Sequence, residues 1–302
     1  MDIYKGLESI LEKENIKYNE PMKNHTTTKV GGPCDCLVEP SSIDEIKAVI
    51  KYAKENNINY YVIGNGSNLL VKDEGIHALI IKITDKFSDY EVNDNYIKVY
   101  AGCSVPKLAQ VAKNNSLSGL EFACGIPGSV GGAIRMNAGA YGSEMVNVVS
   151  KVGYLDEDCN VVEISNEEAQ FTYRHSMFVE NPQYVILYAI YKLEKGNKEE
   201  ITEKMTTNMN SRREKQPLEY PNFGSVFKRP EGYFVGKLVD DCGLKGYTIG
   251  GAQVSTKHSG FIVNISNATC KDVLDLIEYV KKMVYEKFNV MLQEEVVILG
   301  GK

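Results

Sequence analysis

The sequence predicts an α+β protein of more than one domain, and three observations carry that reading. Its 302 residues are too many for one small core, so two or three domains are expected. Segments with helical spacing of apolar residues are interleaved with short β-rich runs along the whole length. Residues 119–142 interrupt that pattern with a stretch crowded with Gly, Ala and Ser.

The elements follow in order. Ser42 with Glu45 forms a capping box, and behind it Ile43, Ile46, Ile50 and Ala53 share one helical face up to Asn56-Asn57. Strands are expected at 60–63 and 79–83, with the turn Gly64-Asn65-Gly66-Ser67-Asn68 between them. A strand at 96–101 precedes a short helix capped by Ser104 and carrying Leu108, Val111 and Ala112. Strands at 151–155 and 184–193 flank a second capping box, Ser165 with Glu168. A helix over 198–215 sets Ile201, Met205 and Met209 on one face. Glu214 to Pro221 reads as a connection, 224–228 as a strand, and the helix after Gly232 stops at Gly243, a suitable C-cap residue. Thr269 caps a long helix whose core face is Val273, Leu276, Ile277, Val280 and Val284. A closing strand is expected over 290–299.

Composition excludes several classes. The net charge of −6 lacks the basic excess of a general nucleic-acid binder. No apolar run reaches the length of a bilayer span, and residues 1–17 do not read as a signal peptide. Seven cysteines without a CxxC pair, and four histidines without a ligand pattern, predict reduced thiols in a cytoplasmic protein and no metal.

Two segments can carry chemistry. Gly64 to Leu69 follows a strand, where successive backbone N–H groups can cradle an anion. It departs from GxGxxG because Leu69 stands at the third glycine and an apolar run follows, so a plain tight turn is the competing reading. Cys124-Gly125-Ile126-Pro127-Gly128-Ser129-Val130-Gly131-Gly132-Ala133 holds four glycines, with Met136-Asn137-Ala138-Gly139-Ala140-Tyr141-Gly142 close behind. So many glycines weaken regular structure. The segment is small and apolar, which suits a backbone lying against a large flat ligand or a pyrophosphate; a flexible loop is the alternative.

Pro127 to Ala133 followed by Met136 to Gly142 resembles the flavin-binding segment of the UDP-N-acetylenolpyruvoylglucosamine reductase family. Five further stretches agree in the family's order. Thr26 to Gly32 resembles its N-terminal flavin signature, and Gly64 to Leu70 its pyrophosphate loop. Tyr173-Arg174-His175-Ser176 and Gly224-Ser225-Val226-Phe227-Lys228 resemble its catalytic strands, and Leu292 to Val296 its C-terminal catalytic segment. The resemblance implies a two-lobed FAD-binding module of the vanillyl-alcohol-oxidase type plus a C-terminal α+β substrate domain. That places the lobes at 1–83 and 84–200 and the substrate domain at 201–295, with 296–302 returning to the first lobe. The interval from Arg174 to Ser225 resembles the shorter, type II form.

The resemblance also implies a reaction: NADPH reduces FAD, and the reduced flavin reduces UDP-N-acetylglucosamine enolpyruvate to UDP-N-acetylmuramate for peptidoglycan synthesis. Such a site needs a flavin held flat, a cation or acid for the enolate, and a proton donor. The family's roles fall on Arg174 and Glu295 as enolate stabilisers and on Ser225 as proton donor. Flavin contacts fall on Thr28, Val30 and Gly31; on Gly64, Asn65, Gly66, Ser67, Asn68 and Leu69; on Gly125, Ile126, Pro127, Gly128, Ser129, Gly131 and Gly132; and on Asn137, Gly139 and Ala140. Substrate contacts fall on Tyr173, Arg213, Lys215, Lys228, Gln253 and Asn264, with Tyr247 a further candidate for the sugar or uracil. Strand alternation sets Glu295 and Glu294 on opposite faces, so Glu294 is expected to meet solvent or an ion-pair partner. The partners are small molecules, with no nucleic acid or membrane insertion, and the protein is expected to be a monomer or weak dimer. A covalent flavoprotein of the same fold, a catalytically dead nucleotide-sugar sensor and a purely structural α/β protein are the alternatives.

Overall fold

Buried apolar side chains sort into two clusters in the computed structural model, which describes residues 2–301. The chain divides accordingly. Unit 1 runs to Tyr18 and then takes Cys36–Asn65 and Ala78–Arg212; unit 2 takes Asn19–Asp35, Gly66–His77 and the chain from Arg213 onward. These units differ from the three consecutive segments read from the sequence, because the chain passes between them at five places.

In unit 1, α1 (Ile43–Glu55) buries Ile46, Val49, Ile50 and Ala53 and ends at Asn56, as its apolar spacing predicts. Its cap is half the expected box. Ser42 Oγ accepts from Glu45 N–H, but the Glu45 carboxylate accepts from Ser41 instead. Tyr60–Ile63 runs parallel to Leu79–Lys82. A five-stranded antiparallel sheet follows, ordered Val161–Ser165, Val149–Leu155, Val185–Lys192, Tyr96–Tyr100, Tyr90–Asn93. Gly153 sits under the Tyr188 ring, where a Cβ would lie 2.2 Å from a ring carbon. The helices α2 (Val105–Asn114), α3 (Val130–Arg135) and α4 (Met177–Glu180) complete the unit, together with α5 (Lys198–Lys215) as far as Arg212. The pair Ser165 and Glu168 makes both capping bonds, yet only a turn follows, since Gln170 adopts φ +51° and ends the run.

Unit 2 holds a four-stranded antiparallel sheet ordered Asn222–Ser225, Phe261–Asn264, Ala252–Val254, Thr248–Ile249. Two helices belong to it, α6 (Val235–Asp241) and α7 (Cys270–Phe288). A full capping box of Thr269 and Asp272 opens α7, whose five predicted core residues are all buried; each contributes about 1.5–3 kcal/mol relative to exposure. Asn289 closes it in the left-handed region at φ +54°. The expected closing strand shrinks to Val297–Leu299, which pairs in parallel with Leu69–Val71.

Candidate active site

Gly64 to Asn68 leave the end of a strand as a turn, and the geometry explains both glycines. In unit 1 a Cβ on Gly64 would lie 2.1 Å from Ser129 Oγ. In unit 2 Gly66 has φ +63°, and a Cβ there would lie 2.0 Å from the His25 carbonyl oxygen. Among the described residues the N–H groups of Asn65, Gly66, Ser67 and Asn68 have no backbone carbonyl partner. Leu69 then opens a strand, as its apolar run indicates.

The glycine-rich stretch of unit 1 lies along residues 101–105. Val130 N–H donates to Cys103 O, Gly131 N–H to Ala101 O, and Val105 N–H to Gly128 O. Gly131 permits this, since its Cβ would lie 3.0 Å from Ala101 Cβ. Ser129 is buried and caps α3 through Gly132 N–H, and Asn65 Nδ2 donates to Pro127 O at 3.3 Å. Gly125 faces the stem of Arg212, whose Cδ would be 2.8 Å from a Cβ there.

In unit 2, Thr26 and Thr28 are buried and bond to each other; Thr26 Oγ1 donates to Val30 O, and Thr28 Oγ1 accepts from Val30 N–H. Gly31 and Gly32 pack on the loop at 71–75, where a Cβ on Gly32 would lie 2.1 Å from Asp73 O.

Tyr173 and Arg174 are the tip of a tight turn rather than part of a strand. Thr172 and His175 exchange both backbone hydrogen bonds, and Arg174 adopts φ +55°. A left-handed arginine is costly and persists only where its surroundings enforce it. Here Arg174 Nη2 donates to Gly139 O at 3.3 Å, and its guanidinium lies 4.9 Å from the exposed Tyr173 ring.

Ser225 and Glu295 are neighbours within unit 2. Glu295 N–H donates to Val226 O at 2.8 Å, Phe227 bridges Glu294, and Lys228 N–H donates to Gln293 O. Ser225 is exposed and Glu295 half-buried, with its carbonyl accepting from Asn68 Nδ2. Glu294 is the ion-pair residue expected, 2.7 Å from Lys281 Nζ. Strict alternation fails on the Ser225 segment. A register shift between Asn222 and Ser225, with Gly224 at φ +83°, leaves Val226 and Phe227 both buried, whereas on the other segment Leu292 and Val296 are buried on one face and Met291, Gln293 and Val297 are exposed on the opposite one. The opposite facing of Ser225 and Lys228 therefore does not follow from periodicity.

The remaining positions divide. Arg213 and Lys215 are exposed, and Arg213 O accepts from Lys257 Nζ. Gln253 Nε2 donates to Thr248 Oγ1. Asn264 is an anchor in unit 2, its Nδ2 donating to Thr28 O and its Oδ1 accepting from Ala268 N–H. Asn137 is 1% exposed and bonded on every side within unit 1. Arg212 reads from the sequence as a cation suited to the C-terminus of its helix, and the structure half-buries it in α5. Burial lowers its pKa from the ordinary guanidinium value, with Tyr141 and Cys124 opposing.

The comparisons with known proteins agree on one family. A profile described as UDP-N-acetylenolpyruvoylglucosamine reductase, C-terminal domain, matches residues 216–299, and an FAD binding domain profile matches 33–165. The reductase of Caldanaerobacter subterraneus subsp. tengcongensis is 51% identical over 296 residues, which is 98% of this chain and 97% of that one. The chain belongs to the UDP-N-acetylenolpyruvoylglucosamine reductase family. The Clostridioides difficile member is 49% identical over 299 residues, covering 99% of this chain and 98% of its own. The crystal structure of the Thermus caldophilus reductase superposes with a TM-score of 0.81 at 35% identity, covering 94% of this chain and 98% of that one.

As a member of this reductase family the protein is an FAD-dependent oxidoreductase. Its fold is the two-lobed FAD-binding module of the vanillyl-alcohol-oxidase type with a C-terminal α+β domain. The residues fit the cofactor. Among the described residues no backbone carbonyl takes the N–H groups at 65–68, which suits a pyrophosphate; within unit 1, Gly125 and Gly131 face Arg212 and Ala101, and Gly132 keeps the more open side. No helix among the described residues is long and apolar enough to cross a membrane.

Proposed function

We propose that this protein is a type II member of the family that reduces UDP-N-acetylglucosamine enolpyruvate to UDP-N-acetylmuramate in the cytoplasm, with NADPH as donor. Bound FAD would supply hydride transfer between NADPH and the β-carbon of the enolpyruvyl ether, and residues 64–69 with the segment from Gly125 to Gly132 would hold it. Arg174 holds the substrate carboxylate through paired N–H bonds and keeps its charge throughout. Glu295 shares in stabilising the enolate, and Ser225 Oγ gives its proton to the α-carbon. The observation that supports this reading is the backbone bond from Glu295 N–H to Val226 O, which joins the segments that carry Glu295 and Ser225.

Thr28, Val30 and Gly31, residues 64–69, Gly125 to Ser129, Gly131, Gly132, Gly139 and Ala140 are assigned to the flavin. Arg212 adds a partly desolvated cation at Gly125, where a flavin carbonyl or phosphate would satisfy it. Tyr173, Arg213, Lys215, Lys228 and Gln253 serve the UDP-sugar, and Asn264 supports them by holding Thr28. Residues 1–83 and 84–200 are the FAD-binding lobes, and 201–295 the substrate domain. The test is an anaerobic visible spectrum. The purified protein is expected to be yellow, to bleach with NADPH, and to regain colour on addition of UDP-N-acetylglucosamine enolpyruvate. A protein that bleaches and ignores that substrate refutes the substrate assignment, and a colourless one that takes up no FAD refutes the whole reading.

A further inference from the structure

Arg174 sits in a backbone conformation that its own residue type disfavours, so something must impose it. The surroundings show what does. The turn from Thr172 to Ser176 is tied to the segment 135–144 at three points within unit 1. Asn137 Nδ2 donates to Thr172 O at 2.9 Å on one leg, and fully buried Ser176 donates from Oγ to Arg135 O at 2.7 Å on the other. At the tip Arg174 Nη2 reaches Gly139 O. Three such points define the position of a small rigid loop.

Asn137 is the hub of this arrangement. It lies in the left-handed region at φ +43°, and its carboxamide uses all of its groups inside the protein. Oδ1 accepts from Val146 N–H at 2.9 Å, and the second Nδ2 proton goes to Glu144 Oε2 at 2.6 Å. Two donors and an acceptor are thereby engaged, leaving no N–H to offer a cofactor. The Glu144 carboxylate also settles which way the amide points, because a flipped amide would set its oxygen against two acceptors.

We infer that Asn137 and Ser176 are positioning residues that hold Arg174 for catalysis, and that Asn137, within the second glycine-rich motif, is a mount of that arginine rather than a flavin contact. This rests on the reading of Arg174 as the cation that grips the substrate carboxylate. A displacement of about 1 Å at such a group slows reaction by about 100-fold.

The test uses the flavin-loaded enzyme and its two half-reactions. Asn137→Asp keeps the shape of the side chain but removes both donors and places a carboxylate against Thr172 O and Glu144. It is expected to retain FAD and to be reduced by NADPH within about threefold of the wild-type rate, while reoxidation by the enolpyruvyl substrate slows about 100-fold. Ser176→Ala, which needs no new charge in the interior, is expected to show the same asymmetry, and serves if the Asn137 variant does not fold. Glu144→Gln keeps an acceptor for Nδ2 and is expected to restore the reoxidation rate that Glu144→Ala loses. In an Arg174→Met background, Asn137→Asp is expected to add little, since positioning acts only through the arginine. Equal slowing of both half-reactions, loss of FAD, or full additivity with Arg174→Met overturns the inference. If Arg174→Met alone leaves reoxidation unchanged, it is the proposed role of Arg174 that fails instead.

Discussion

Replacing Gly64 by alanine tests whether the closeness of two glycine-containing segments, rather than backbone freedom, explains that residue. The new Cβ would lie 2.1 Å from Ser129 Oγ and 3.2 Å from Ser129 Cβ. The first distance is untenable, so Ser129 must rotate and abandon its bond to Gly132 N–H. Loss of that helix cap is worth about 1 kcal/mol. The remaining crowding at Cβ adds about 1 kcal/mol, at the low end for an overpacked methyl group. Gly64→Ala should therefore destabilise the protein by about 2 kcal/mol, and Ser129→Ala by about 1 kcal/mol. The double variant has neither the cap nor the 2.1 Å clash, so its loss should be about 2 kcal/mol, not the additive 3. Urea unfolding of the apo proteins measures the coupling, and FAD titration of the same set shows whether the turn still binds. Additive losses would mean that Ser129 is not what excludes a side chain at position 64.

The other predictions follow the proposed chemistry. Ser225→Ala should leave flavin reduction by NADPH near normal and slow reoxidation by substrate by about 100-fold or more in stopped-flow absorbance, as loss of a general acid does; equal slowing of both steps would make Ser225 structural. Glu295→Gln should cut turnover severely, whereas Glu294→Gln should leave turnover intact and cost about 0.5–1 kcal/mol by breaking the part-exposed pair with Lys281; the reverse pattern would exchange the two assignments. Arg212→Met keeps the stem against Gly125 but removes the cation, and should weaken FAD about 10- to 100-fold by fluorescence titration, while an unchanged affinity would place the guanidinium away from the flavin. His258 is held below its ordinary pKa by burial, and its Nδ1 accepts from Gly260 N–H, which requires the neutral ring. The unfolded chain thus binds the proton more readily. The stability from neutral His258 is complete above about pH 6.5 and is lost as pH falls through that region. Melting curves of wild type and His258→Gln should diverge there, and parallel curves would refute the assignment.

Helix α7 was legible at its start and along its core face because cap and spacing agree: Thr269 opens it and five core residues follow at helical spacing, while Asp272 completing the box and left-handed Asn289 closing the helix came only with the structure. The failures are places where a distant partner decides. Residues 290–296 have the composition of a strand, yet they pair only through the bridge of Glu294 to Phe227, and the strand proper, Val297–Leu299, forms on Leu69–Val71, more than two hundred residues earlier. Ser165 and Glu168 make a helix cap without a helix, because capping bonds cannot propagate a run that Gln170 ends. Arg174 read as a strand residue since nothing local marks its turn. The fastenings come from Arg135, Asn137 and Gly139, which are remote in sequence.

Arg212 is the instructive case, because its signal was present in the periodicity. Ile201, Met205 and Met209 make the apolar stripe of α5, and the next position on that face, three residues beyond Met209, is Arg212. Arg213, favoured through the family's basic region, points off the stripe and is exposed. A charged residue in register with an apolar face has two ordinary fates: its head escapes to water, or it is held against a partner. Arg212 does not take the first, since burial lowers its pKa and its stem lies on Gly125, a residue whose missing side chain makes the approach possible. A glycine and an arginine far apart in the chain are thus a matched pair. A side chain at position 125 should weaken FAD binding as far as Arg212→Met does, because either change takes the cation from the same place.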